Sequence, residues 1–170
     1  DYMYYTYARD PKMRRNIGIA RRLAPLLDND RRKIELLNSL VFTMPGSPII
    51  YYGDEIGMGD NIQLKDRDGV RTPMQWTMDR NAGFSTCDPA RLYLPLVADP
   101  TYGYQSINVE FQKDIPHSLL HWMKRMIATR RRYPAFGRGT MAFLPSANDK
   151  VLAYVRRHEN AVLLLVHNLA

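Results

Sequence analysis

Residues 47–85 read SPIIYYGDEIGMGDNIQLKDRDGVRTPMQWTMDRNAGFS, and this stretch decides the fold class. The apolar run at 47–52 predicts a buried strand that stops at Gly53. Asp54 and Glu55 follow at once, and the long polar segment after them has neither helical nor strand periodicity. A buried strand that opens into a charged loop is typical of α/β enzymes, because their sites lie in the loops at the carboxyl ends of the strands.

A helix is predicted directly before this strand. It begins after Asp30, a plausible N-cap, and ends at Pro45-Gly46. Its apolar residues recur at the spacing of one helical face, namely Ile34, Leu37, Leu40, Val41 and Met44. A helix, a short turn and a buried strand make the αβ half of a βαβ unit.

Beyond the strand, residues 53–116 contain no persuasive helix or strand. Loops longer than ~12–15 residues are uncommon in compact domains and are usually functional. A second amphipathic helix follows Pro116 and ends at Arg130-Arg131-Arg132, before Pro134. Its apolar face consists of Leu119, Trp122, Met123, Met126 and Ile127.

The periodicity changes after Gly137. Residues 139–145, 151–157 and 161–167 predict three short strands joined as antiparallel hairpins. We therefore expect a boundary near 134–138, with one domain at 1–134 and the start of another at 135–170.

Composition excludes several classes of protein. No stretch approaches ~20 apolar residues, so no membrane span is expected. The single Cys87 excludes an internal disulfide and favours a cytoplasmic location. Because the chain begins at Asp1 rather than Met and stops within the apolar run 162–166, we expect it to be a fragment of a longer protein.

The net charge of +7 has two interpretations. A nucleic-acid-binding module is one, but no nucleic-acid-binding motif accompanies the arginine clusters. Solvated helix faces are the other, and we favour that one. The clusters are Arg14-Arg15, Arg21-Arg22, Arg31-Arg32 and Arg130-Arg131-Arg132.

Several residues of the long loop could bind a ligand. Glu55 could accept a hydrogen bond from a sugar hydroxyl, hold an arginine, or be a structural carboxylate that accepts N–H groups of the loop, and for Asp54 we favour the structural role. The run from Asp66 to Arg71 could clamp a polyhydroxylated substrate or satisfy itself as an ion-pair network. Trp76 and Phe84 offer aromatic faces for sugar rings, although anchoring of the loop is the commoner role of such a Trp.

Metal and nucleotide chemistry have no support in the sequence. The four histidines lack metal-ligand spacing, Cys87 has no partner, and neither a phosphate loop nor a dinucleotide fingerprint occurs. We therefore predict no metal site and no cofactor in this chain.

The run from Gly46 to Met58, GSPIIYYGDEIGM, resembles the eighth-strand motif of the alpha-amylase superfamily of glycoside hydrolases and transglycosylases. RTPMQW at 71–76 resembles the signature of its oligo-1,6-glucosidase-like members. The segments 59–71 and 79–85 and YPAFGRGT at 133–140 resemble the trehalose synthase group. Small departures from that group occur at Thr77-Met78, Gln63 and Lys65.

This resemblance implies an α/β fold: a partial (β/α)₈ TIM barrel from the seventh helix to the eighth, followed by the first strands of an antiparallel β-sandwich domain. It implies that the catalytic carboxylates precede Asp1, so that no catalytic residue lies in this chain. By the same resemblance, Arg71 corresponds to an arginine that binds the nonreducing glucose. Glu55, Asp66 and Arg67 are weaker candidates for substrate binding or gating.

The implied activity is the isomerisation of maltose to trehalose by a retaining double displacement, with the fragment alone inactive. Hydrolysis of small alpha-glucosides, as by an alpha-glucosidase or oligo-1,6-glucosidase, is the alternative. The expected partner is a disaccharide, with no nucleic acid and no membrane; a homo-oligomer is compatible with the sequence. Any calcium site would belong to the region before Asp1.

Overall fold

The structure, a computed structural model, describes residues 2–170 and contains two compact units. One consists of residues up to Ile34 together with Ile50–His121, and the other of Glu35–Ile49 together with Trp122–Ala170. The helices are α1 (Tyr2–Tyr7), α2 (Leu23–Leu26), α3 (Arg31–Thr43), α4 (Val109–Lys113), α5 (Leu119–Arg132) and α6 (Ala135–Arg138). The strands are β1 (Arg14–Arg15), β2 (Gly18–Ile19), β3 (Thr140–Leu144), β4 (Val151–His158) and β5 (Ala161–Asn168).

The helix predicted after Asp30 is confirmed as α3. The Asp30 carboxylate accepts the backbone N–H groups of Arg32 and Lys33, at 3.0 and 3.3 Å. The second of these hydrogen bonds is the main cause that lowers the pKa of Asp30 below its ordinary value. Satisfying the free N–H groups of the first turn is what makes an aspartate an effective N-cap.

The predicted apolar face of α3 is only partly right. Its buried stripe is Ile34, Asn38 and Phe42, at the spacing i, i+4 and i+8. Leu37 and Val41 lie beside that stripe and are 37% and 48% exposed. The buried stripe is therefore rotated around the helix axis from the predicted one, and it includes an amide that a purely hydrophobic pattern misses.

The strand predicted at 47–52 is wrong. The backbone from 47 to 51 carries no regular structure and belongs to neither sheet. A strand exists only with a hydrogen-bonded neighbour, and no strand within residues 2–170 pairs with this segment. As a result, the side chains from Ile49 to Tyr52 are exposed, Ile49 the most at 89%.

The long loop is confirmed as mostly irregular, but it is packed. Short 3₁₀ turns interrupt it, and α4 within it was not predicted. Its buried anchors Ile56, Met58 and Met74 form a small core with Leu120 of α5. An irregular chain can pack in this way only if its buried backbone groups find partners outside regular structure.

The second predicted helix and the three predicted strands are confirmed as α5 and β3–β5. The strands form one antiparallel sheet in the order β3-β4-β5, with Tyr154 opposite Phe143 on one side and Leu165 on the other. Alternate residues of β5 are exposed, namely Val162, Leu164 and Val166. The fold is thus of the α/β class, with helices and a three-stranded antiparallel sheet.

No helix within residues 2–170 combines the length and the apolar character that crossing a bilayer requires.

A buried arginine organises the unit that contains this sheet. Arg156 is 1% exposed, and its guanidinium donates to the carbonyl oxygens of Thr43, Phe136 and Gly139 at 2.7, 2.8 and 2.9 Å. Burial lowers the pKa of Arg156 below its ordinary value, and Arg130 adds to that effect. Because the guanidinium satisfies several carbonyls at once, it joins the C-terminal end of α3 to α6 and to the start of the sheet.

His167 lies in β5, which pairs with β4, the strand of Arg156. Its ring belongs to a network of hydroxyl groups. Its Nδ1 is 3.1 Å from Ser39 Oγ, and its Nε2 is 2.9 Å from the Tyr154 hydroxyl. The Tyr154 hydroxyl also contacts Thr43 Oγ1 at 2.6 Å. Because the network contains no carboxylate, burial is uncompensated and lowers the pKa of His167 below its ordinary value of 6.5.

We predict that His167 makes folding less favourable in acid. Because the pKa of His167 in the folded state lies below 6.5, the contribution of this residue to the free energy of unfolding is fully present above pH 6.5. It is lost as the pH falls from about 6.5 through the folded pKa, because the unfolded chain then binds a proton that the folded ring resists. Urea unfolding of the natural protein and its His167→Gln variant should show a stability difference that shrinks as the pH falls below about 6.5. A difference that grows in acid would contradict this assignment.

Candidate functional site

A cavity of about 490 Å³ lies in the unit that contains the long loop. Its lining is mostly apolar and aromatic, with one carboxylate and one guanidinium. Such a combination is typical of pockets for small ligands, in which a few polar groups fix the orientation. The lining residues are Tyr52, Glu55, Arg71, Pro73, Met74, Trp76, Phe84, Leu92, Tyr93 and Leu94.

Glu55 reaches the cavity on a tight 3₁₀ turn, Asp54–Ile56. The turn lies between Gly53 and Gly57, whose φ angles of 88° and 77° are left-handed conformations that favour glycine. Ile56 is buried and fixes the base of the turn. The Glu55 Oε2 atom is buried and has no hydrogen-bond partner within the described chain. A buried carboxylate oxygen without a partner is costly, so this atom is poised to accept a donor from a ligand.

Arg71 follows a second 3₁₀ turn, Asp68–Val70, and is exposed to the cavity. Its backbone N–H donates to Asp68 O at 2.9 Å. Within residues 2–170, the Arg71 guanidinium takes part in no hydrogen bond or ion pair. The unused N–H donors of the Arg71 guanidinium line the same cavity as the unpartnered Glu55 oxygen. Such a combination suits a ligand with several hydroxyl groups.

The remaining two candidates lie elsewhere. Asp66 and Arg67 line a separate cavity of about 250 Å³, next to the β1–β2 hairpin. The structure therefore brings Glu55 and Arg71 together and leaves Asp66 and Arg67 outside their cavity.

Asp54 makes a structural ion pair. Its Oδ1 accepts a hydrogen bond from Arg22 Nη1 at 3.1 Å. Burial raises the pKa of the Asp54 carboxyl above its ordinary value, while the charge of Arg22 opposes that rise. Burial also raises the pKa of the Tyr52 hydroxyl, which donates to Thr72 O at 2.9 Å. Both groups hold the cavity wall in place.

The interpretation of the arginine clusters as solvated helix faces is wrong for Arg14 and Arg15, which are half-buried residues of β1, and for Arg21 and Arg22. Arg22 is 3% exposed, and Arg21 pairs with the buried carboxylate of Asp60 at 2.9 Å. The positive charge of these residues is used inside the molecule, because it supplies hydrogen-bond donors to the irregular loop.

The expected anchoring role of Trp76 is also wrong for its side chain. Trp76 is 47% exposed and Phe84 is 51% exposed, and both rings line the cavity. Here the backbone provides the anchor instead: Trp76 N donates to Ala82 O at 2.8 Å, and Glu110 N donates to Trp76 O at 2.9 Å. The aromatic faces are therefore free to meet a ligand.

Gln75 holds the neighbouring backbone. It is 1% exposed, and its Nε2 donates to the carbonyls of Tyr102 and Ile107. The backbone carbonyl of Gln75 accepts the backbone N–H of Val109 at 3.0 Å. The segment from Arg71 to Trp76 is thereby fixed against the start of α4.

The sequence analysis did not predict three further residues of the cavity lining, Leu92, Tyr93 and Leu94. These residues lie in a segment with no periodicity, so the only available signal was their apolar character within a polar loop. In the part of the chain that the structure describes, no three His, Cys, Asp or Glu side chains come together as metal ligands.

Comparison with known proteins identifies the family. The model of the alpha-amylase catalytic domain matches residues 20–139, which is more than half of the chain. The chain belongs to the alpha-amylase family.

Individual members of this family match the chain over its whole length. The chain is 60% identical to the trehalose synthase/amylase TreS of Mycobacterium tuberculosis over 173 residues, which cover 100% of this chain and 29% of that relative. It is 53% identical to the trehalose synthase of Thermus thermophilus over 171 residues, which cover 100% of this chain and 18% of that relative. The chain thus spans less than a third of the length of these curated relatives.

Solved structures show the same alpha-amylase-type fold. A trehalulose synthase mutant in complex with Tris has a TM-score of 0.71 and 25% identity, covering 90% of this chain and 34% of its own. The isomaltulose synthase SmuA from Protaminobacter rubrum has a TM-score of 0.70 and 28% identity, covering 88% and 33%.

We predict that Gly69→Ala disturbs the turn that carries Arg71. A Cβ at Gly69 would lie 2.4 Å from the carbonyl oxygen of Asn61, whose N–H donates to Gly69 O at 2.9 Å. Because both atoms belong to backbone, the turn itself must move, at a cost of about 1–3 kcal/mol.

The measurement is chemical unfolding of the natural protein, and the matched control is Gly137→Ala. A Cβ at Gly137 has no atom within 4 Å, so we expect a change within about 0.5 kcal/mol. Equal stability of the two variants would show that the turn is not tightly packed.

Proposed function

We propose that the natural protein containing this chain is an intramolecular glucosyl transferase that isomerises maltose to trehalose. The observation that carries this proposal is the cavity in which the free Arg71 guanidinium and the unpartnered Glu55 oxygen face exposed aromatic rings. Identity of 60% and 53% over the whole chain to relatives named trehalose synthase supports the choice of reaction.

Arg71 is the proposed substrate-binding residue. Its fork of donors can hold two neighbouring hydroxyl groups of a glucose ring, and its charge strengthens each hydrogen bond. Glu55 can accept a further hydroxyl, while Trp76 and Phe84 can cover the apolar face of the ring. Asp66 and Arg67 keep only a gating role in this proposal, because they line the neighbouring cavity.

The proposed mechanism is a retaining double displacement. One carboxylate attacks the anomeric carbon and the glycosidic bond breaks, giving a covalent glucosyl intermediate and free glucose. The released glucose then turns and attacks the same carbon through its own anomeric hydroxyl, which gives its proton to the acid/base residue. The bond between that carbon and the enzyme carboxylate breaks, and trehalose forms. Water must be kept out meanwhile, since its attack would give hydrolysis. The attacking carboxylate and the general acid are proposed to lie outside this chain.

The finer architecture is part of the same proposal. Residues 1–134 would supply the barrel from its seventh helix to its eighth, with 53–116 as the eighth βα loop. Residues 135–170 would begin the antiparallel β-sandwich, in line with the sheet β3-β4-β5. We propose no cofactor in this chain and a cytoplasmic location, in line with the free Cys87.

Maltose incubated with the natural protein tests the reaction. Chromatography of the products should show trehalose as the main product and glucose as a minor one. Glucose alone would replace the proposed isomerase by an alpha-glucosidase.

We predict that Arg71→Ala lowers kcat/KM for maltose about 10- to 100-fold. The lost charge-assisted hydrogen bonds are worth about 1.5–3 kcal/mol, and each 1.4 kcal/mol is about tenfold. Stability should change little, because Arg71 is exposed and its side chain makes no hydrogen bond or ion pair within residues 2–170. The matched control is Arg131→Ala, an exposed arginine of α5. Unchanged kinetics in Arg71→Ala would exclude substrate binding by this residue.

A further inference from the structure

Arg22 is hydrogen-bonded to the segments that form the cavity wall, although it does not line the cavity itself. It is 3% exposed, and its guanidinium donates to three acceptors. Nη1 donates to Tyr52 O at 2.7 Å and to Asp54 Oδ1 at 3.1 Å, and Nη2 donates to Val70 O at 2.8 Å.

The acceptors belong to the two segments that carry the polar residues of the cavity. Tyr52 and Asp54 precede Glu55, and Val70 precedes Arg71. The Arg22 guanidinium therefore bridges the segment that carries Glu55 and the segment that carries Arg71. A second tie joins these segments directly, since the Tyr52 hydroxyl donates to Thr72 O.

Arg22 is itself held firmly. Its backbone N–H donates to Asp60 Oδ2 at 2.8 Å, and the same carboxylate pairs with Arg21. The guanidinium also lies over the rings of Tyr51 and Tyr52, 5.3 and 5.0 Å from their centroids. Because both the backbone and the guanidinium of Arg22 are held in place, its hydrogen bonds can fix the positions of the loop carbonyls instead of moving with them.

We propose that Arg22 is a positioning residue, which sets the separation and orientation of Glu55 and Arg71 across the cavity. The planar fork is essential to this role, because its two terminal nitrogens reach carbonyls on different segments at the same time. A lysine has one terminal nitrogen and cannot reproduce this bridge. The proposal rests on the proposed function only for its substrate, maltose.

The test compares Arg22→Lys with the unaltered protein, using the natural full-length chain. Thermal unfolding first establishes that the variant is folded at the assay temperature. KM and kcat for maltose and the ratio of glucose to trehalose are then measured separately. We expect KM to rise about tenfold and the share of glucose to increase, since misplacing binding groups by about 1 Å can cost up to ~10²-fold.

Arg130→Lys is the matched control. Arg130 also donates through both terminal nitrogens to two backbone carbonyls, those of Phe42 and Gly46, and none of these residues lines the cavity. The substitution removes the same kind of bridge at a place outside the long loop. We therefore expect the KM and the product ratio of Arg130→Lys to stay near those of the unaltered protein.

Two results would overturn the proposal. Unchanged KM and product ratio in Arg22→Lys would show that the bridge does not set the cavity geometry. Equal changes in Arg22→Lys and Arg130→Lys would show a general effect of losing an arginine bridge between backbone carbonyls.

Tyr52→Phe decides the question if Arg22→Lys fails to fold. It removes only the hydroxyl of the second tie, and it should raise KM and the share of glucose in the same direction, by a smaller factor. No change in either quantity would overturn the proposal.

The proposed function can fail independently. If the unaltered protein releases only glucose, the isomerase reaction is excluded, while the comparison of KM among the same variants still tests the positioning role of Arg22.

Discussion

Hydrogen bonding of an irregular backbone is the constraint on which the rest of the structure depends. The segment 53–116 is largely without regular structure, yet Ile56, Met58 and Met74 within it are buried. Buried carbonyl and N–H groups need partners, and sheet ladders are not available to them here. Long polar side chains supply those partners. Arg22 and Arg15 donate to loop carbonyls, and Gln75 does the same on the far side.

This solution explains why arginine is used so heavily inside the molecule. A guanidinium carries five N–H donors in a fixed plane, so one side chain can satisfy carbonyls on separate segments and fix their spacing. Arg22 does so for the loop, and Arg156 does so for the unit that contains the sheet. The exception is informative: Arg71 has the same chemistry, but none of its donors is used within residues 2–170. An arginine whose guanidinium is unused, in a cavity whose wall another arginine holds, is a natural candidate for ligand binding.

Sequence reasoning succeeded where local periodicity reports packing. The helices α3 and α5 and the three strands of the sheet have apolar patterns and end signals that depend on few distant contacts. The run 47–52 failed because pairing, rather than composition, makes a strand. The exposed Trp76 and the role of Arg22 could not be foreseen, since both depend on which distant backbone group lies opposite each side chain. Glu55 and Arg71 could be named in advance because both lie in the charged loop after the apolar run, and the family motif then favoured Arg71 for substrate binding.

In the proposals above, Arg22 holds together a cavity in which Arg71 binds a sugar. A crystal structure of the natural protein with maltose or glucose bound would test both roles at once. We expect a sugar hydroxyl within about 3 Å of the Arg71 guanidinium. We also expect the Arg22 hydrogen bonds to Tyr52 O and Val70 O to be retained. A sugar bound away from Arg71, or a bound state in which Arg22 has left either carbonyl, would contradict these roles.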